Sequence, residues 1–189
     1  MKSSLALSTL SALVVLSTAA PALARDVAGV DVPDTVSVEG KTLKLNGVGI
    51  RKKFIIKVYV GALYVETTST SAGDLIKSDE VKQVKMHFLR GVEKDKILGA
   101  YKEGFEKNSK SKVGELQAGL DKLAAGLADM QKGGTMTVTY VPGKGTTVKQ
   151  SGGAQVEIAG KEFADALLRN WLGSEPADGD LKKEMLAGK

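Results

Sequence analysis

Phe54 to Val65, FIIKVYVGALYV, constrains the fold of this chain more than any other stretch. It carries Ile, Val, Leu and Tyr on both parities, which predicts a strand covered on both faces. Gly61 in its interior predicts a bulge or a close backbone approach. Strict alternation sets Tyr59 on the same face as Lys57. That face therefore either opens at the mouth of a cleft, or a bulge at Gly61 shifts the phase; the residues leave both open. The run is preceded by Gly47-Val48-Gly49-Ile50-Arg51. The two glycines predict a tight turn or a close pass by a neighbour. A nucleotide-binding loop would need a third glycine and a following helix. Here a β-rich segment follows, which argues against nucleotide binding.

The remaining pattern alternates between two periods. Val36 to Leu45 alternates apolar and polar residues around Gly40 and predicts a hairpin. Asp74 to Lys77 reads as a helical turn, and Val81 to Leu89 as a strand with Val84, Met86 and Phe88 on one face. Val92, Ile97, Ala100, Tyr101 and Phe105 then fall at helical spacing. Val113, Leu116, Leu120, Leu123, Leu127 and Met130 form a second helical stripe, which Gly133-Gly134 stops. Thr135 to Val141, Thr146 to Gln150 and Ala154 to Ile158 return to strands, with Pro142 to Gly145 as a turn. Phe163, Ala166, Leu167 and Trp171 line a helix ending at Gly173, read as a left-handed terminator. Leu181 to Leu186 is a short final helix. Strands and helices in separate runs predict an α+β fold, with helices packed on one side of a largely antiparallel sheet.

Residues 1–24 read as a signal peptide. Met1-Lys2 supplies a positive start, Leu5 to Val15 is mostly apolar, and Pro21-Ala22-Leu23-Ala24 ends in a small-x-small cleavage pattern. The apolar run is shorter than the roughly 20 residues of a membrane span. The expectation is an exported protein, periplasmic or secreted, with residues 25–189 forming a single domain. The chain contains no Cys and one His, His87, so thiol catalysis, Cys-ligated zinc and multi-His metal sites are excluded. Net charge is a modest +5, and the lysines are spread rather than clustered, which argues against nucleic acid as a partner.

Few residues could carry a site. Arg51 can meet a carboxylate with two parallel hydrogen bonds, and Tyr59 offers a phenol on the same apolar segment. Tyr101 and Trp171 lie on apolar helical stripes, where core packing and pocket lining are both open. His87 and Arg90 read as surface residues, Arg90 being a possible second cation. Glu157 and Glu162 form no recognisable acid pair.

Three segments carry a family resemblance. LNGVGIRKKFIIKVYVGALYVE (Leu45 to Glu66) resembles the glycine turn and strand of the chalcone isomerase fold. KILGAYKEGFEKN (Lys96 to Asn108) resembles its first long helix, and FADALLRNWLGSEPADGDLKKEML (Phe163 to Leu186) its C-terminal helices. In this order they span most of residues 25–189, and the chain is most similar to the exported bacterial members of the chalcone isomerase-like family. In the isomerases the Arg of the glycine turn draws a phenolate into attack on an enone, and that Arg matches Arg51. A Thr three residues before the strand glycine is Val58 here. The helix Tyr and Asn of the isomerases fall near Lys96 and Glu103, and their C-terminal Thr appears as Asn170. The fatty-acid-binding members keep the Arg and pair it with a Tyr two residues before the glycine, which is Tyr59.

The resemblance thus implies non-catalytic binding of a hydrophobic, fatty-acid-like carboxylate in a cleft between sheet and helices. Arg51 and Tyr59 would hold the head group, Tyr101 and Trp171 would line the cleft, and no cofactor or metal is expected. An alternative is a chalcone-flavanone-type isomerase, an intramolecular lyase; a third is an interaction protein presenting the Leu116–Leu127 helix.

Overall fold

The computed structural model describes residues 24–109 and 112–188. The expected leader lies outside the described residues except for Ala24, which begins the first strand. β1 (Ala24–Val27) and β2 (Val30–Pro33) form a small antiparallel hairpin. There follow β3 (Thr35–Val38), β4 (Lys41–Lys53), β5 (Ile56–Val65), α1 (Ala72–Lys77), β6 (Lys82–Phe88), α2 (Lys94–Asn108) and α3 (Val113–Gly126). The chain continues through β7 (Thr135–Val141), β8 (Gly145–Gln150), β9 (Val156–Ile158), α4 (Lys161–Leu172) and α5 (Gly179–Met185). Strands β3 to β9 make one sheet in chain order, each neighbouring pair antiparallel. The α+β architecture is the one that the alternation of periods predicts.

Both faces of β5 are covered, as its composition requires. Leu63 and Val65 join the main core with Val84, Met86, Phe105, Leu120, Leu123, Leu167 and Trp171, beneath the helices. Val60, Ala62 and Tyr64 point to the opposite face and pack with Val32, Leu43 and Leu45 under the β1–β2 hairpin. The Tyr64 hydroxyl donates to the Pro33 carbonyl at 2.9 Å. Burying each large apolar side chain contributes about 1.5–3 kcal/mol, so the two half-cores make β5 the spine of the molecule.

Four local readings are corrected, and the open choice at Gly47 and Gly49 is decided for the close pass. Phe54 and Ile55 are not strand but the turn joining β4 to β5, with Phe54 at φ 57°. Gly47 and Gly49 do not make a turn; they lie inside β4 because the C-terminal helix presses on them. A Cβ at Gly47 would strike the Glu184 and Met185 backbone, and one at Gly49 the Glu184 side chain. The phase shift of β5 falls at Val58, not Gly61: Arg51 pairs with Tyr59 and Lys52 with Lys57, leaving Val58 as the extra residue. Gly61 stays in register opposite Gly49 and Met86, and serves the close approach, with Met185 Cε 2.9 Å from where a Cβ would stand. Gly173 has φ −65° and is no left-handed terminator; its missing Cβ makes room for the Asn108 amide. The α3 stripe also stops early, at Gly126, and Met130 instead pairs with Val92 in an isolated bridge.

Candidate functional site

The bulge at Val58 builds the site. With one extra residue, Val58 and Tyr59 both turn toward the helices, where each is at least nine-tenths buried. Opposite Tyr59 on β4 stands Arg51, its guanidinium carbon 5.7 Å from the centre of the phenol ring, within cation–π range. Among the described residues Arg51 makes no salt bridge. Beside it, α5 is fastened to the strand by Asp178. One carboxylate oxygen accepts from the Asp180 and Leu181 N–H groups at 2.9 and 3.1 Å, and the other from the Lys52 N–H at 2.8 Å.

Tyr59 is held by its neighbours on the other side. Trp171 on α4 donates its indole N–H to the Tyr59 hydroxyl at 2.9 Å, and the Phe88 ring lies 5.4 Å away, tilted. The hydroxyl proton itself has no acceptor among the described residues. Tyr101 on α2 meets Trp171 edge-on at 6.0 Å and donates its hydroxyl to the Met136 sulfur at 3.3 Å. Burial pushes both phenols, Tyr59 and Tyr101, above the ordinary tyrosine value, and the Arg51 charge draws each part of the way back. Both therefore remain protonated donors across the physiological range.

These side chains line one open cleft, about 470 Å³ when the solvent space at its mouth is included. The sheet supplies Val58, Tyr59, Met86 and Phe88; α2 supplies Ile97, Ala100 and Tyr101; α4 supplies Asn170 and Trp171. Arg51, Lys96 and Ala177, the more exposed members, stand at the mouth. All four residues singled out from the sequence, Arg51, Tyr59, Tyr101 and Trp171, thus meet here. Arg90 is exposed, and His87 lies on the other face of the sheet with Val60 and Ala62.

Two polar lining residues, Lys96 and Asn170, carry no site role in the sequence reading. In the sequence Lys96 is only a departure from the isomerase pattern, yet it places a second cation at the mouth. Its position three residues into α2, one before the buried Ile97, is the signal that could have found it. Asn170 donates its amide to the carbonyls of Ala166 and Leu167 at 3.3 and 2.9 Å. Its buried oxygen is unpartnered and presses against Gly104, where any side chain would collide with it. The arrangement can bind an anion beside an apolar slot. It offers no donor at Val58 and no paired base.

A sheet–helix protein with an apolar cleft, a cation at its mouth and a buried phenol is the class that fold and site define. The sequence profile described as chalcone isomerase-like matches residues 24–187, and the chain belongs to that family. No curated protein matches it. Among solved structures it is similar to a fatty-acid binding protein of Arabidopsis thaliana, with 18% identity and a TM-score of 0.65. The match covers 87% of this chain and 95% of that one. At that identity the likeness is one of fold.

Proposed function

We propose that this protein binds a hydrophobic carboxylate, a fatty acid or close analogue, without transforming it. The carboxylate sits between the Arg51 guanidinium and the Tyr59 hydroxyl, and the tail lies between Met86 and Phe88 of the sheet and Ile97 and Tyr101 of α2. The observation that carries this reading is Arg51 at the mouth of an apolar cleft with the buried Tyr59 phenol directly behind it, the charged fork and the phenolic proton both without a hydrogen-bond partner among the described residues. Lys96 adds charge of the same sign. Each buried methylene would contribute about 0.8 kcal/mol, so the tail supplies most of the affinity and the head group sets its direction. The Arabidopsis neighbour's description as a fatty-acid binding protein supports the same reading. Ring-closing isomerisation of an enone has weaker support: it needs donors placed in advance around a developing oxyanion, and Val58 presents only methyl groups.

Native mass spectrometry of the purified protein is expected to show a copurifying acid. Titration with a fluorescent fatty acid is expected to weaken about tenfold or more in Arg51→Ala, the loss of a charge-assisted fork. Absence of any bound acid, together with an unchanged Arg51→Ala titration, would overturn the reading.

A further inference from the structure

The β4–β5 turn is the one place among the described residues where large apolar side chains stand in solvent. Phe54 is 90% exposed, Ile55 94% and Ile56 45%. Single exposed apolar residues are ordinary, but three in succession at the tip of a long hairpin are not. Phe54 also holds φ 57°, a conformation that favours Gly or Asn and strains a bulky aromatic. A turn serving only to reverse the chain would relax with a smaller residue. Around the tip stand Lys52, Lys53 and Lys57, all exposed and in no salt bridge among the described residues. Lys52 and Lys57 are directly opposite in the ladder, and like charges in that position repel. An apolar wedge with a basic collar thus carries two local costs.

We propose that this hairpin tip docks on an anionic lipid surface. Phe54, Ile55 and Ile56 enter the boundary between head groups and acyl chains. Lys52, Lys53 and Lys57 meet the phosphates, with their methylene stems lying along the apolar layer. The complementary charge favours a lipid surface over a second copy of this chain, whose tip would bring the same three lysines. Docking is peripheral: among the described residues no helix is long and apolar enough to cross a membrane. The tip leads directly to Arg51 on one strand and Tyr59 on the other, so a docked hairpin sets the cleft mouth near the bilayer. If the ligand assignment above is right, a fatty acid can pass from membrane to cleft over a short path; the docking itself does not depend on that assignment.

Vesicle flotation tests the proposal, with phosphatidylcholine alone and phosphatidylcholine mixed with phosphatidylglycerol. The protein is expected to float with the anionic vesicles at low salt and to be released as salt rises. The Phe54→Asn, Ile55→Ser double variant is expected to lose about tenfold or more in partitioning. Lys52→Glu, Lys53→Glu and Lys57→Glu together should abolish the preference for phosphatidylglycerol, and Lys122→Glu on the exposed face of α3 should change nothing. The altered tip side chains are exposed and Asn suits the backbone at position 54, so the melting temperature should hold or rise. Fatty-acid titration in lipid-free buffer reads the cleft separately and should be unaffected by the tip double variant. No flotation with anionic vesicles, or equal flotation of the double variant, would overturn the docking. So would a lipid-free dimer that the double variant dissolves, since that would assign the tip to a second copy.

Discussion

Tyr59 Oη is committed on one side and open on the other. It accepts the Trp171 indole proton at 2.9 Å while its own proton remains unused. Tyr59→Phe removes both capacities and leaves a buried N–H without an acceptor. A stranded donor costs about 1–3 kcal/mol, so the denaturant midpoint should fall accordingly, and fatty-acid affinity should fall with it. An unchanged midpoint would mean that Trp171 finds another acceptor and that the bond does not hold the cleft wall. Arg51 and Tyr59 could be picked from the sequence because a cation and a phenol are conspicuous on an apolar strand. The commitments of the other two aromatics could not. Trp171 spends its N–H on Tyr59, and Tyr101 its hydroxyl on Met136, which only packing across distant elements reveals.

At the scale of elements, the decisive contact is α5 lying on β4. Gly47 and Gly49 remove the side chains that would hold the helix off, and Ile50 N–H donates to Glu184 at 3.1 Å. Asn46, a second bulge just before Gly47, is fully buried. Its amide donates to Met185 O at 2.7 Å and Ser69 O at 3.0 Å, and accepts from Ser69 N–H at 2.8 Å. A Gly47→Ala methyl would meet helix backbone, which cannot swing aside, whereas Gly49→Ala meets chiefly a side chain. Overpacking of this kind costs about 1–3 kcal/mol. Gly47→Ala is therefore expected to destabilise by about that amount or more in urea titrations, and Gly49→Ala by less. Equal effects would show that α5 shifts as a body. Two glycines two residues apart were visible in the sequence as a close approach or a turn. Which of these they were depended on a helix more than a hundred residues away.

Over the whole molecule, pH acts through buried titratable groups. Lys82 is 5% exposed, with its ammonium at the Ile76 and Ser78 carbonyls and 5.5 Å from the Tyr140 ring centre. Burial, aided by the Lys161 charge, lowers its pKa from 10.5 to about 8. Below pH 8 both folded and unfolded chains hold the proton, and the cost of the buried charge is fully felt. Between about 8 and 10.5 the unfolded chain binds more protons, so stability rises with pH. Tyr64 acts in the opposite sense above pH 10, because burial pushes its pKa up to about 12 and the unfolded phenol ionises first. Stability measured by urea at pH 7.5 to 10 should therefore climb, and Lys82→Met should flatten the climb; a flat wild-type curve would refute it. Periodicity alone specified the α+β class, the two-faced central strand and the helical stripes, because hydrophobic burial is written in local spacing. The bulge at Val58, the true terminus of α3 and the cleft with Lys96 at its mouth were decided by packing. Each depends on which distant surface a residue meets, and the spacing of neighbours along the chain does not encode that.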